Sequence, residues 1–257
     1  MSELIRVFSE SVSEKTTKIF LQSKEELDKE FRDYKAKKLL TRFDYLILNS
    51  KLIVEDFIKE CNLAKEYGFN SVTVLPNFIP LAKRTLQNTG VKVNTILSFP
   101  YGEDDIHTKI FATKRAVRNG VDKIILTLSS FEIKNGEYLK VLKECLKVVN
   151  FSRKRNVSLL IDTDNLSSSE LENLYFVLTK DGKIYSLMPY SSIEQKTTNE
   201  MIKNAVKVAN GKALIEAFGN IKNVKESMNL ILDGANSVSS SVCPSLAIDL
   251  QNEINAT

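Results

Sequence analysis

Histidine and cysteine are the side chains whose number and spacing most directly signal metal or nucleophilic chemistry, and both are sparse here. His107 is the single histidine, which excludes a multi-histidine metal site and leaves any Ser-His or Cys-His catalysis resting on one residue. It lies in EDDIHTKIF beside a predicted helix start, where a surface-facing imidazole is expected. The three cysteines, Cys61, Cys145 and Cys243, are far apart and have no CxxC or CxxH spacing. Neither a disulfide framework nor a zinc site is predicted, and no metal or other cofactor is expected. Cys61 and Cys145 fall in helical patterns and Cys243 follows the last predicted strand, so all three read as structural.

The bulk composition narrows the function classes further. At 257 residues and 43% apolar composition, the chain can bury one sizeable core. Its 36 basic and 32 acidic residues leave a net charge of only +4. No block of like charge marks a nucleic-acid or membrane-surface partner. The first residues, MSELIRVFSESVSEK, carry acids early and have no apolar stretch of the signal-peptide kind. No run approaches the roughly 18 apolar residues of a membrane span. A cytoplasmic setting is the expectation.

From about position 43, short apolar runs rich in β-branched residues alternate with longer amphipathic ones, as buried parallel strands alternate with covering helices. Strands are predicted at Phe43–Leu48, Ser71–Leu75, Lys92–Ser98, Lys123–Thr127, Ser158–Asp162, Lys183–Met188, Ala213–Glu216 and Ser237–Ser240. Helical patterns run over Asp56–Tyr67, Glu103–Asn119, Glu137–Arg155, Ser167–Thr179, Thr198–Ala209 and Val224–Leu232. Several of them stop at a glycine, and Ser167 is placed to cap the fourth. This is the pattern of an α/β (β/α)8 TIM barrel over 41–257, preceded by a charged helical extension over 1–40. An open doubly wound sheet would show a Gly-rich first turn; the first strand here is followed by LNSKLIVED.

Several stretches resemble the deoxyribose-phosphate aldolase family: AKEYGFNSVTVLPNFIPLAKRTL (Ala64–Leu86), GVKVNTILSFPYG (Gly90–Gly102), KIFATKRAVRNGVDKI (Lys109–Ile124) and, in outline, FGNIKNVKESMNLILDGANSVSSS (Phe218–Ser241). Lys134-Asn135-Gly136 is similar to that family's K-S-G turn. The resemblance spans about positions 43–245 and implies the barrel fold. It also implies a lyase that cleaves 2-deoxyribose 5-phosphate through a lysine Schiff base, and a homodimer.

The residues that carry this chemistry are replaced. The Schiff-base lysine of the family's V-K-T-S-T-G motif falls on Ser186, in IYSLMPYSS. The second lysine, of V-K-A-S-G-G, falls on Glu216, in LIEAFGN. The aspartate of E-I-D-M-V falls on Ile125, in KIILT. An iminium is a far better electron sink than a carbonyl, so loss of the lysine removes the mechanism. Lys134 and Lys222 are the nearest relocated candidates. Asp44, Asp162 and Asp164 are expected at the barrel mouth together with Glu216, with no lysine to balance them. Gly219, Lys222, Ser239, Ser240 and Ser241 remain where the family holds phosphate, so a small phosphorylated ligand is one expected partner. Two readings follow: an inactive family member kept as a binding or regulatory protein, or a lyase acting on a sugar phosphate with a rearranged site built on Asp162 and Glu216.

Overall fold

The computed structural model describes residues 36 to 255, Asn165 excepted. Eight parallel strands close into a barrel in sequence order: β1 (Phe43–Ile47), β2 (Ser71–Val74), β3 (Lys92–Leu97), β4 (Lys123–Thr127), β5 (Asn156–Asp162), β6 (Ser186–Tyr190), β7 (Leu214–Gly219) and β8 (Ser237–Ser240). The ring is completed by β1 against β8, with Asp44 opposite Ser239. Helices α1 (Val54–Tyr67), α2 (Ile79–Thr85), α3 (Ile106–Arg118), α4 (Ser130–Lys134), α5 (Tyr138–Phe151), α6 (Ser168–Thr179), α7 (Asn199–Ala209), α8 (Val224–Leu232) and α9 (Cys243–Asn255) surround it. The expected extension over 1–40 lies outside the described residues apart from 36–40, which are helical. None of the described helices is long and apolar enough to cross a membrane.

Local chemistry sets most of the helix ends. α1 stops at Gly68, whose φ of 70° lets its N–H return to the carbonyls of Ala64 and Lys65. α6 starts at a capping box between Ser167 and Glu170. The Asp105 side chain caps α3 by accepting from the N–H groups of His107 and Thr108. α2 begins through Pro80, which its first turn tolerates because the missing N–H would be unpaired there.

Two strands differ from expectation. β6 was read as Lys183–Met188 but runs from Ser186 to Tyr190, and β7 continues beyond Glu216 to Gly219. Pro189 has no N–H and reads as a strand stop. It is tolerated because β6 pairs with β7 only through Ser186 and Leu187. Beyond that point the two strands part. The Thr197 hydroxyl fills the gap, donating to the Pro189 carbonyl at 2.5 Å and accepting from the Phe218 N–H at 2.8 Å.

Strand alternation sorts the core into two parts. Tyr45, Ile47, Ile124, Leu126, Leu159, Ile161, Leu187 and Ala217 belong to the cluster packed under the helices. Their neighbours Leu46, Ile96, Ile125, Leu160, Met188, Tyr190 and Phe218 form a separate cluster inside the barrel. The barrel is therefore filled by side chains at its middle.

Candidate functional site

The inward-facing residues two positions before that inner cluster are polar. Asp44 precedes Leu46, Asn94 precedes Ile96, Lys123 precedes Ile125, Ser158 precedes Leu160, Ser186 precedes Met188 and Glu216 precedes Phe218. They make one continuous hydrogen-bonded layer on the N-terminal side of the apolar one. The Ser186 hydroxyl donates to Ser158 Oγ at 2.7 Å, and Ser158 donates to Glu216 Oε1 at 3.3 Å. The Lys123 ammonium donates to Glu216 Oε2 at 2.7 Å and stands 3.5 Å from Asp44 Oδ2. Asp44 Oδ1 accepts from the Ser71 hydroxyl and from Asn70 Nδ2 at 2.8 Å. Asn94 closes the chain by donating to Ser71 Oγ at 2.7 Å.

Asp44 and Glu216 were expected at the mouth; their side chains lie instead in this lower layer, 1% and 3% exposed. The reason is the alternation just described and the extra turn of strand in β7, which leaves Glu216 well short of the strand end. The expectation that no lysine balances them is corrected as well. Lys123 was read only as the start of β4, yet a lysine at an inward position of an otherwise apolar strand is the one signal that could have revealed the ion pair.

Lys123 is a cation by construction. Burial pushes its pKa down, but the carboxylates of Glu216 and Asp44 outweigh burial and hold it above the usual lysine range. Its lone pair is not available, and imine formation requires a neutral amine. Ser186 offers only a hydroxyl, engaged with Ser158. Ile125 is fully buried within the apolar cluster. Of the two lysines considered as relocated nucleophiles, Lys134 pairs with Glu170 at 3.8 Å on the outside of the barrel. Lys222 is exposed past the end of β7.

At the C-terminal end the chain covers itself. Residues 191–197, between β6 and α7, form a strap across the β5–β7 sector. Asp164 accepts from the Ile193 N–H at 2.8 Å and the Ser192 hydroxyl at 3.0 Å, and Asp162 accepts from the Ser192 N–H at 3.4 Å. Burial raises the Asp164 pKa, but these bonds outweigh it and hold the carboxyl below its usual range. At the other end, Lys196 donates to Glu226 at 2.7 Å. Asp162 ends β5 and Asp164 follows it, and both anchor the strap. Asp162 and Glu216 lie on opposite sides of the apolar layer, so the rearranged acid–base or cation site expected from them is not assembled. Among the described residues, no three His, Cys, Asp or Glu side chains converge as metal ligands.

The strap also enters the expected phosphate cradle. The Gln195 carbonyl accepts the Asn220 N–H at 2.8 Å. It lies so close to Gly219, whose φ is 119°, that a Cβ there would come within 2.3 Å of it. Glu226 Oε2 accepts the Lys222 main-chain N–H at 3.2 Å. The Ser240 hydroxyl donates to the Ile221 carbonyl at 2.9 Å. Ser239 is buried with its hydroxyl unpartnered, and Ser241 lies at the surface, lining a cavity of about 540 Å³ beside the strap. The three cysteines are buried free thiols, and burial pushes those of Cys61 and Cys145 up to about 12, so none is a ready nucleophile.

No protein-family model matches the chain. Its curated relatives are deoxyribose-phosphate aldolases. That of Mycoplasmoides pirum is 31% identical over 202 residues, covering 77% of this chain and 91% of the relative. That of Malacoplasma penetrans is 30% identical over 217 residues, covering 84% and 98%. Among solved structures, an aldolase called QR15 superposes with a TM-score of 0.78 at 19% identity, over 85% of this chain and 98% of its own. The deoxyribose phosphate aldolase of Aeropyrum pernix, described as a unique tetramer, gives 0.74 at 14% identity over 85% and 93%. The strand order, the barrel closure and the 31% and 30% identity to two curated relatives, over 91% and 98% of their lengths, agree: the chain belongs to the deoxyribose-phosphate aldolase family.

Proposed function

We propose that this protein is a non-catalytic member of its family, retained as a binding or regulatory protein. The observation that carries this reading is the state of Lys123. It is the buried lysine of the barrel interior, it is clamped between Glu216 and Asp44, and an apolar layer separates it from the mouth. A Schiff-base nucleophile needs a neutral amine that a carbonyl can reach, and Lys123 meets neither requirement. The replacement of the expected catalytic positions by Ser186, Glu216 and Ile125 supports the same reading. A small phosphorylated ligand is not part of it, because the strap uses the Asn220 N–H and lies on Gly219.

The test is incubation with limiting 2-deoxyribose 5-phosphate and borohydride, followed by intact-mass and peptide mapping, with a parallel assay for released glyceraldehyde 3-phosphate. Neither release nor an adduct concentrated on one lysine is expected. A single-site adduct, or turnover, would overturn the proposal.

A further inference from the structure

The cavity beside the strap has a definite chemical character. It wraps the C-terminal end of β1. Leu46 and Leu48 line it from the barrel interior, and Tyr45 and Ile47 from the side facing α1. Its volume of about 540 Å³ is within the range of small-molecule sites, roughly 300–1,000 Å³. Among the described residues, the one charged side chain in its lining is Glu60, on α1. Glu60 Oε2 accepts the Tyr45 hydroxyl at 2.5 Å, which leaves Oε1 for a ligand. Burial first, and then Glu60, push the Tyr45 phenol far above its usual range, so the phenol keeps its proton and remains the donor to Glu60.

Three further observations give the site its sign. Tyr190, another lining residue, has its phenol raised by burial and then by the nearby carboxylates of Asp162 and Asp164. Phe99 and Phe218 line it with ring centroids 6.1 Å apart, and Tyr190 packs edge-on to Phe218 at 5.5 Å. Aromatic walls and a carboxylate are the groups that receive organic cations. Lys196, the nearest basic residue of the strap, is held by Glu226, and the Asn220 N–H is taken by Gln195. Among the described residues, an anion would find no lysine or arginine in the lining.

We infer that this cavity binds a small organic cation, with an ammonium head on Glu60 and an apolar body against Leu46, Leu48, Phe99 and Phe218. The inference rests on the reading of the protein as a binding protein and names the ligand class. Calorimetric titration of the full chain with choline, with its uncharged isostere 3,3-dimethylbutan-1-ol and with 2-deoxyribose 5-phosphate tests it. Choline should bind, the neutral isostere about tenfold or more weakly, and the phosphate not at all. Glu60→Gln should cost a similar factor, and Ser241→Lys, which adds a repelling charge to the lining, should also weaken choline. Equal affinity for choline and its isostere, no effect of Glu60→Gln, absence of choline binding at millimolar concentration, or tight binding of the phosphate would each overturn it. Borohydride trapping reads lysine chemistry alone, so failure there and failure here are distinguishable.

Discussion

Lys123 and Glu216 are 93 residues apart in the chain and touch inside the barrel, in the polar layer on its N-terminal side. Removing the ammonium strands two buried carboxylates, and breaking a buried pair by deleting one partner costs about 3–5 kcal/mol. Lys123→Met should therefore lower unfolding stability by about that amount in urea titration, and Lys123→Met combined with Glu216→Gln should lose less. The wild-type pair also has a signed pH dependence. The folded pKa of Lys123 is raised above its ordinary 10.5, so the stabilisation is fully present below about pH 10.5 and is lost as pH rises through the higher folded value. The single variant should lack that alkaline branch; an unchanged urea midpoint would remove the pair from any structural role. At this scale the sequence was only partly legible. His107 and the cysteines could be assigned from spacing. The partners of Glu216 and Asp44 could not, because a contact across the barrel leaves no local signature.

Among the elements, the six helices bounded from the sequence read well because their signals are local: the Gly68 stop, the Ser167 capping box and the 3.6-residue apolar period all sit within the segment they define, whereas α2, α4 and α9 were given no bounds. Six of eight strands have both ends within two residues of expectation for the same reason. β6 and β7 were misplaced because Pro189 is accommodated by a hydroxyl from the strap, a tertiary arrangement. The strap itself was invisible in the sequence. Its fit over Gly219 makes a sharp prediction. A methyl group at that position meets the Gln195 carbonyl at 2.3 Å and an unfavourable φ of 119°. Gly219→Ala should destabilise by about 1–3 kcal/mol and should expose residues 191–197 to limited proteolysis. Wild-type resistance in that segment would mean that the contact is not a constraint.

For the whole molecule, the barrel class was the most legible feature, since eight alternating units allow few other arrangements. Association is a different matter. Phe111, Phe131, Phe176 and Leu232 are large, more than half exposed and carried on the helical ring. Apolar side chains in this position gain by being covered. The homodimer expected from the family resemblance remains a proposal, to be tested by light scattering on the full chain. Twice the monomer mass at micromolar concentration is the expected result, and a monomer across the accessible range would sink it.

The buried polar layer also constrains how the sequence could have changed. In the correspondence with the family's E-I-D-M-V and V-K-A-S-G-G motifs, position 123 answers to a glutamate and position 216 to a lysine, whereas this chain has Lys123 and Glu216. In that correspondence each position carries the sign opposite to the family motif. Changing either one alone would set like charges face to face in a desolvated layer, at a cost comparable to the whole stability margin of a typical domain. Reversing both positions together is therefore expected to cost less than reversing either one alone.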